Sequence, residues 1–201
     1  NEDLAGTVDG KMALQGRASR LSGTMDVTLE GARARGAGRA VSVDGRVRAT
    51  LNDQSLFIEA VASNAGGLRS SATVTLPVVA SAAPLRLAIA NRQPMNGVFA
   101  ANGEIKPLWD LLVGGERSLS GVVDMKGTIA GSLADPRLSG TAELAQGAFE
   151  DGQIGLKLVD LSVRAVLADN AIDVSRFSAT DGRGGRISGG ACGSCGNVNN
   201  R

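Results

Sequence analysis

The chain contains no histidine and no tyrosine, only four phenylalanines and one tryptophan, and two cysteines. Without histidine it lacks the commonest general base, the commonest zinc ligand and every serine–histidine pair. Hydrolytic chemistry would be left to paired carboxylates or to lysine. Aromatic residues are 2% of the chain, whereas compact cores lean on large rings that each bury a wide area. Whatever core exists must be built from Leu, Val, Ile, Ala and Met. An excess of one charge is missing too: 21 Lys and Arg stand against 20 Asp and Glu, and the signs are interspersed. That leaves neither the basic footprint nor the stacking rings of a nucleic-acid binder. No apolar run approaches the ~18 residues of a membrane-spanning helix, and the first residues do not follow the charged, apolar, small-residue order of a signal peptide. The expectation is an internal piece whose targeting signal and any membrane anchor lie elsewhere.

What the sequence does have is alternation, which on a strand sends successive side chains to opposite faces. Leu21, Gly23, Met25, Val27 and Leu29 alternate with Ser22, Thr24, Asp26, Thr28 and Glu30. Val41, Val43, Val47 and Leu51 stand against Ser42, Asp44, Arg46, Arg48 and Thr50, and Leu68, Ala72, Val74 and Leu76 against Arg69, Ser71, Thr73 and Thr75. Leu119, Val123, Met125, Ile129 and Leu133 alternate with Ser120, Asp124, Lys126, Thr128 and Ser132. Leu138 and Leu144 fall in the next such stretch, and Leu161, Val163, Ala165 and Leu167 make a further apolar face.

Turn-forming residues separate these stretches, at Asn52-Asp53, at 64–67, at Asp135-Pro136, at Asp151-Gly152 and at Asp169-Asn170, so the pattern predicts a long meander of strands. A weak internal echo, LSGTMDVTLEG at Leu21, LSGVVDMKGTIAG at Leu119 and LSGTAELAQG at Leu138, suggests growth by similar hairpins. One segment departs from the rhythm: Ile105, Leu108, Leu111 and Leu112 have helical spacing, with Pro107 near the start and Gly114-Gly115 after the end. A helix of about two turns near 105–113 is expected there, serving as a packing cap or as a lid.

No chemistry-bearing motif survives inspection. Asp26, Glu30, Asp44, Asp124 and Glu143 sit at positions facing away from the apolar side, the normal place for solvated charge. The glycine-rich run 181–186 would need a following helix to cradle a phosphate, but Arg186-Ile187-Ser188-Gly189 reads as strand, so a tight turn with a bulge is expected. Cys192 and Cys195 supply two soft ligands where structural zinc needs four, in a tail without apolar periodicity. That tail, 191–201, reads as disordered or non-native.

The run GSLADPRLSGTAELAQGAFED, followed by LKLVDLSVRAVLADNAIDVSRFSATDGRGGRISG, places Asp135-Pro136 ahead of a Leu-Ser-Gly strand and ends on a Ser-Ala-Thr-Asp-Gly-Arg-Gly-Gly turn. In this order of strands, links and turns, 131–190 resembles the TamB family, the large periplasmic translocation and assembly module proteins of Gram-negative bacteria, related to the AsmA-like proteins. Residues 102–131 are similar to the family's repeated units, and 1–101 share its general style. The resemblance implies an inner-membrane anchor and a long body in the periplasm. It also implies a β-groove sheltering phospholipid acyl chains or nascent outer-membrane protein, and an outer-membrane barrel partner of the TamA or BamA type.

Together these readings predict an all-β chain: an elongated, curled antiparallel or mixed sheet forming an open groove, β-taco or β-solenoid-like, with one short helix. Segment 1–101 would form one stretch of groove, 102–190 the TamB-like stretch, and 191–201 the tail. A one-sided sheet must cover its apolar face, and with few rings and little helix to do so, an acyl chain is the natural occupant. The expected lining is Leu21, Met25, Val27, Leu29, Val41, Val43, Val47, Leu51, Val74, Leu119, Val123, Met125, Ile129, Leu138, Leu144, Leu161, Val163 and Leu167. Neither catalytic residues, nor a metal, nor a cofactor is expected. The competing expectation is a closed solenoid or sandwich with a structural or adhesive role. A polysaccharide-active β-helix would need an acidic or basic cluster on its outer face.

Overall fold

The computed structural model describes residues 4–17, 20–34, 42–113, 115–168 and 171–190. The alternating stretches become strands: β1 (Leu4–Arg17), β2 (Arg20–Ala34), β3 (Val43–Asn52), β4 (Ser55–Ser63), β5 (Arg69–Ala82), β6 (Leu85–Ile89) and β7 (Asn96–Glu104). After helix α1 (Lys106–Leu112) come β8 (Arg117–Gly131), β9 (Pro136–Asp151), β10 (Leu156–Ala168), β11 (Ala171–Thr180) and β12 (Arg186–Gly189). They form a single 12-stranded sheet in the order β1-β2-β3-β4-β5-β7-β8-β9-β10-β11-β12, with β6 paired to β5. Every pairing among the named strands is antiparallel. Of the antiparallel and mixed forms expected, the antiparallel one is realised, and β1 and β12 are left as open edges. The chain is therefore an all-β open sheet with one short helix, and the division at 101/102 falls inside β7.

Local chemistry sets the reversals. Asp53, at φ 43°, makes the tight β3–β4 turn. The Asn64 side chain accepts the Leu68 amide at 2.9 Å and so closes the β4–β5 turn. Asp151, 6% exposed, accepts the Gln153 amide at 3.0 Å and the Arg117 guanidinium at 3.0 Å, tying the β9–β10 turn to the start of β8. β8 ends at Gly131, so Leu133 lies in the following turn and not on the strand face.

The sheet curls because its strands bulge. Extra residues fall at Gly31 (φ 64°) in β2, against both β1 and β3, and beside Asp160 (φ 50°) in β10, and others fall in β9, against both β8 and β10, and in β11 against β10. Each extra residue bends and twists its strand. At one set of strand ends, the second half of β5 folds back over β1 and β2. There Val78 packs with Leu21 and Leu51, joined by Leu56, Ala80 and Ala82. A Cβ built on Gly16 would come within 2.8 Å of the Ala82 side chain, so only glycine admits that approach.

At the opposite strand ends α1 touches both β8 and β2, which are separated in the sheet by β3, β4, β5 and β7. The expected helix is present, running from Lys106 with Pro107 in its first turn. The Glu104 carboxylate holds its start by accepting the amides of Lys106 at 3.2 Å and Gly121 at 2.7 Å. Trp109 Nε1 donates to the Arg117 carbonyl at 3.1 Å. At these strand ends Ala32, Val43 and Leu68 are buried, the last two almost completely. Helix and folded-back β5 thus close the two borders of the curl and leave its middle uncovered.

Candidate apolar groove

The antiparallel register turns isolated alternations into continuous rows. One row runs Gly10, Val27, Val47, Ala60, Ala72, Phe99, Gly127, Gly140, Leu167 and Ile172, each residue directly opposite the next across ten strands. Its neighbour on the same face runs Met12, Met25, Ala49, Ile58, Val74, Gly97, Ile129 and Leu138. A third runs Val8, Leu29, Gly45, Ala62, Ser70, Ala101, Met125, Ala142, Ala165 and Val174, broken only by Ser70. At strand spacings of about 4.8 Å, ten strands carry this lane over roughly 43 Å.

The other face is mixed, carrying charge on its first four strands and scattered exposed apolar residues such as Phe57, Val61 and Val98. Lys11, Asp26, Arg48 and Glu59 oppose one another in sequence, alternating in sign from strand to strand. Arg46 grips Asp26 with two hydrogen bonds, the Nε one at 2.8 Å, and Arg48 approaches the same carboxylate at 3.4 Å. The hydrogen bonds from Arg46, helped by its charge and by the hydrogen bonds and charge of Arg48, hold the Asp26 carboxyl below its ordinary range and outweigh the opposing loss of hydration. Because the folded value is depressed, this contribution to stability is present above the ordinary carboxylate pKa and fades as pH falls through the lowered one. Arg164 and Glu143 make a similar exposed pair at 2.9 Å. Such pairs add little stability, but they keep this face in water.

Two adjoining cavities occupy the inward side between β1 and β7. One, about 260 Å³, is lined by Met12, Leu14, Met25, Ala49, Leu51, Leu56 and Ile58, with Leu87 reaching over from β6. The other, about 500 Å³, is lined by Val8, Val27, Leu29, Ala60, Ala72 and Phe99 among others, and Val47 borders both. Their walls are nearly free of polar surface. A larger depression, about 990 Å³, lies outside at the β1–β2 and β3–β4 turns; Arg20, Asn52, Asp53 and Gln54 make it polar, so its size is no guide to apolar binding.

The residues expected to line a groove fall into four groups. Met25, Val27, Leu29 and Val47 border the cavities, and Val74, Met125, Ile129, Leu138 and Leu167 lie in the same rows. Val123, Leu144 and Val163 form a further inward row, and Leu119 and Leu161 are placed near the bulges. Leu21 and Val43, at 3% and 1% exposure, are taken up by the chain's own packing, and Leu51 shares that small core while one side faces the cavity. Val41 and the cysteine pair lie outside the described residues. The lining also includes residues that sequence reasoning missed: Val8, Met12, Leu14, Leu56, Ile58, Leu87 and Phe99.

Glycines deepen the floor where Gly127 faces Gly140. A Cβ on Gly127 would lie 2.5 Å from the Phe99 ring, which covers it from β7. A Cβ on Gly140 would lie 2.7 Å from the Gly127 Cα and closer still to the Lys126 carbonyl oxygen, both backbone atoms that cannot turn away. Gly140→Ala is therefore expected to lower the unfolding free energy by about 2 kcal/mol. Gly189→Ala, built into open space, should stay within about 0.5 kcal/mol of the parent. Urea denaturation of the two variants reads the difference directly.

The glycine-rich turn at 181–185 leads from β11 into β12, a strand and not a helix. Two of its amides are already taken by a side chain of the turn itself: Asp181 accepts those of Arg183 at 2.7 Å and Gly185 at 2.9 Å. These bonds also hold the Asp181 carboxyl below its ordinary range, so the turn carries its own anion. Among the described residues no group of three or more metal-ligating side chains converges.

The fold defines a class: an open, one-sided antiparallel sheet whose apolar face is lined and only partly filled. Compared with family models, with curated proteins and with solved structures, the chain matches none of them.

Proposed function

We propose that this chain is a non-enzymatic, lipid-handling segment of a periplasmic bridge of the TamB type, working within an inner-membrane-anchored protein in outer-membrane assembly and intermembrane lipid transport. Its inward rows shelter phospholipid acyl chains or apolar stretches of nascent outer-membrane protein, and an outer-membrane barrel protein of the TamA or BamA type receives the cargo. The supporting observation is the set of adjoining apolar rows that cross eight to ten strands, interrupted only at Ser70, opposite a face whose first four strands alternate in charge. The resemblance of 131–190 to that family supports the periplasmic setting.

Magnitudes favour transit over storage. Each methylene taken from water contributes about 0.8 kcal/mol, so ten contribute about 8 kcal/mol. Association itself costs about 4–15 kcal/mol. A lane without directional bonds therefore holds an acyl chain weakly and lets it move between equivalent positions. Cavities of 260 and 500 Å³ are of the size that encloses part of a small ligand.

A photoreactive amino acid placed in turn at Met25, Val47, Met125 and Ile129 should form phospholipid adducts, while the same group at Thr28, Arg48, Lys126 and Thr128 should form few. Equal labelling of the two sets would remove the groove reading.

A further inference from the structure

The second half of β5 and the whole of β6 form an arm beyond the main sheet, since β6 pairs only with β5. Within eleven residues it exposes Val79 (57%), Leu85 (74%), Leu87 (57%) and Ile89 (45%). These side chains do not share one face. Val79 opposes Ala88 on the side that also carries Ser81 and Arg86, whereas Leu85, Leu87 and Ile89 oppose Ala82, Ala80 and Val78 on the other, so the arm exposes apolar side chains on both sides and a cation on one. One side of its β5 half is packed on β1 and β2 through Val78, Ala80 and Ala82, so what is left for a bilayer interface is the free end around Leu85 and the outer side with Val79.

Charge points the same way. No acidic residue occurs between Glu59 and Glu104, while Arg69, Arg86 and Arg92 do. Arg86 is on β6 itself and Arg92 follows it; both are exposed, and among the described residues neither makes an ion pair. Cations beside an apolar tip suit the headgroup region, where arginine stems lie along acyl chains and guanidinium groups meet phosphates. Leu87, at the base of the arm, also lines the smaller cavity with Met12 and Leu14, so the arm's inward side continues into the groove.

We infer that the β5–β6 arm docks the protein on the surface of an anionic phospholipid bilayer, with Val79, Leu85 and Leu87 entering the interface and Arg86 and Arg92 meeting lipid phosphates. The docking stands on the arm's own surface and rests on the groove reading only for what is loaded there.

Flotation of the full chain with phosphatidylcholine vesicles containing phosphatidylglycerol, against vesicles of phosphatidylcholine alone, tests it. Binding is expected to the anionic vesicles, weakened roughly fivefold for each of Arg86→Gln and Arg92→Gln and more than tenfold by Leu85→Ser with Leu87→Ser. Ile154→Ser and Ile187→Ser remove apolar side chains of comparable exposure outside the arm and outside the inward rows and should change nothing. Leu85→Trp adds a reporter whose emission should shift to the blue on anionic vesicles alone. Val47→Arg should leave flotation intact even where it abolishes lipid adducts in the groove, which separates failure of docking from failure of the groove. The inference is overturned if the parent protein does not float, if arm variants float as well as the parent, or if the tryptophan emission does not move. It is equally overturned if sedimentation shows the leucine variants dissolving a dimer while vesicle binding persists, because the arm is then an interface between copies.

Discussion

Leu68→Ala is expected to lower the unfolding free energy by about 3 kcal/mol, within the range for deleting a buried leucine. Leu68 is 0% exposed and sits in the turn between β4 and β5, with its amide on the Asn64 side chain and its carbonyl accepting the Asn64 amide at 3.2 Å. The end of β7 presses on it: a Cβ on Gly103 would lie 2.7 Å from the Leu68 Cα. Backbone this tightly placed cannot collapse into the space left by an isobutyl group, so the cavity remains and adds its cost. In an open sheet with a small core, such a loss is a large share of a total of about 5–15 kcal/mol. The urea midpoint should fall with an unchanged slope. Leu85→Ala, at a position 74% exposed, should shift it by no more than about 0.5 kcal/mol. Similar midpoints for the two variants would mean that the helix-side border of the curl is not packed as described.

Much of this fold could be read from single strands, because a half-buried strand writes its face into every second residue. β2 and β3 are clear in that sense: Met25, Val27 and Val47 stand between Asp26, Thr28, Arg46 and Arg48, and the register places them in the rows their parity implies. β4 shows why other strands were opaque. Its Ser55–Ser63 segment has Leu56, Ile58 and Ala60 inward, but Phe57 and Val61 outward and 40% and 46% exposed, so its composition names no face. β1 carries Val8, Met12 and Leu14 on one side with Ala13 among the polar residues of the other, which blurs the same signal. In β10 the bulge beside Asp160 adds a residue between Leu158 and Leu161, so the spacing of those two leucines breaks the parity their shared face would require.

Long-range closure was invisible for a different reason. Leu21 and Leu51 alternate as cleanly as Met25 and Val47, yet the former pair is covered by Val78 from a strand more than twenty residues further on. No local pattern encodes that β5 outruns its partners and folds back. The helix, by contrast, was legible from the spacing of Ile105, Leu108 and Leu111, though not that it would reach across to β2. The parts of the curl left open are therefore those where alternation met neither the β5 arm nor α1.

Val47→Arg is expected to cut phospholipid adducts from neighbouring inward positions by more than tenfold while leaving the urea midpoint close to that of the parent. Val47 borders both cavities and lies midway along the row from Gly10 to Phe99. It is 36% exposed, so in the empty protein a guanidinium there stays hydrated and costs little. An acyl chain passing that point would have to strip the water away, and none of the inward neighbours Val27, Ala60, Met25 or Ala49 offers a carboxylate in exchange. Desolvating an unpaired charge costs several kcal/mol, against the ~0.8 kcal/mol that each passing methylene contributes. Val47→Leu keeps the lane apolar and should label like the parent. Arg48→Val, one residue away on the opposite face, should also leave labelling unchanged, since it alters charge without touching the lane. Undiminished adducts in Val47→Arg would show that lipid does not travel along these rows, however apolar they are.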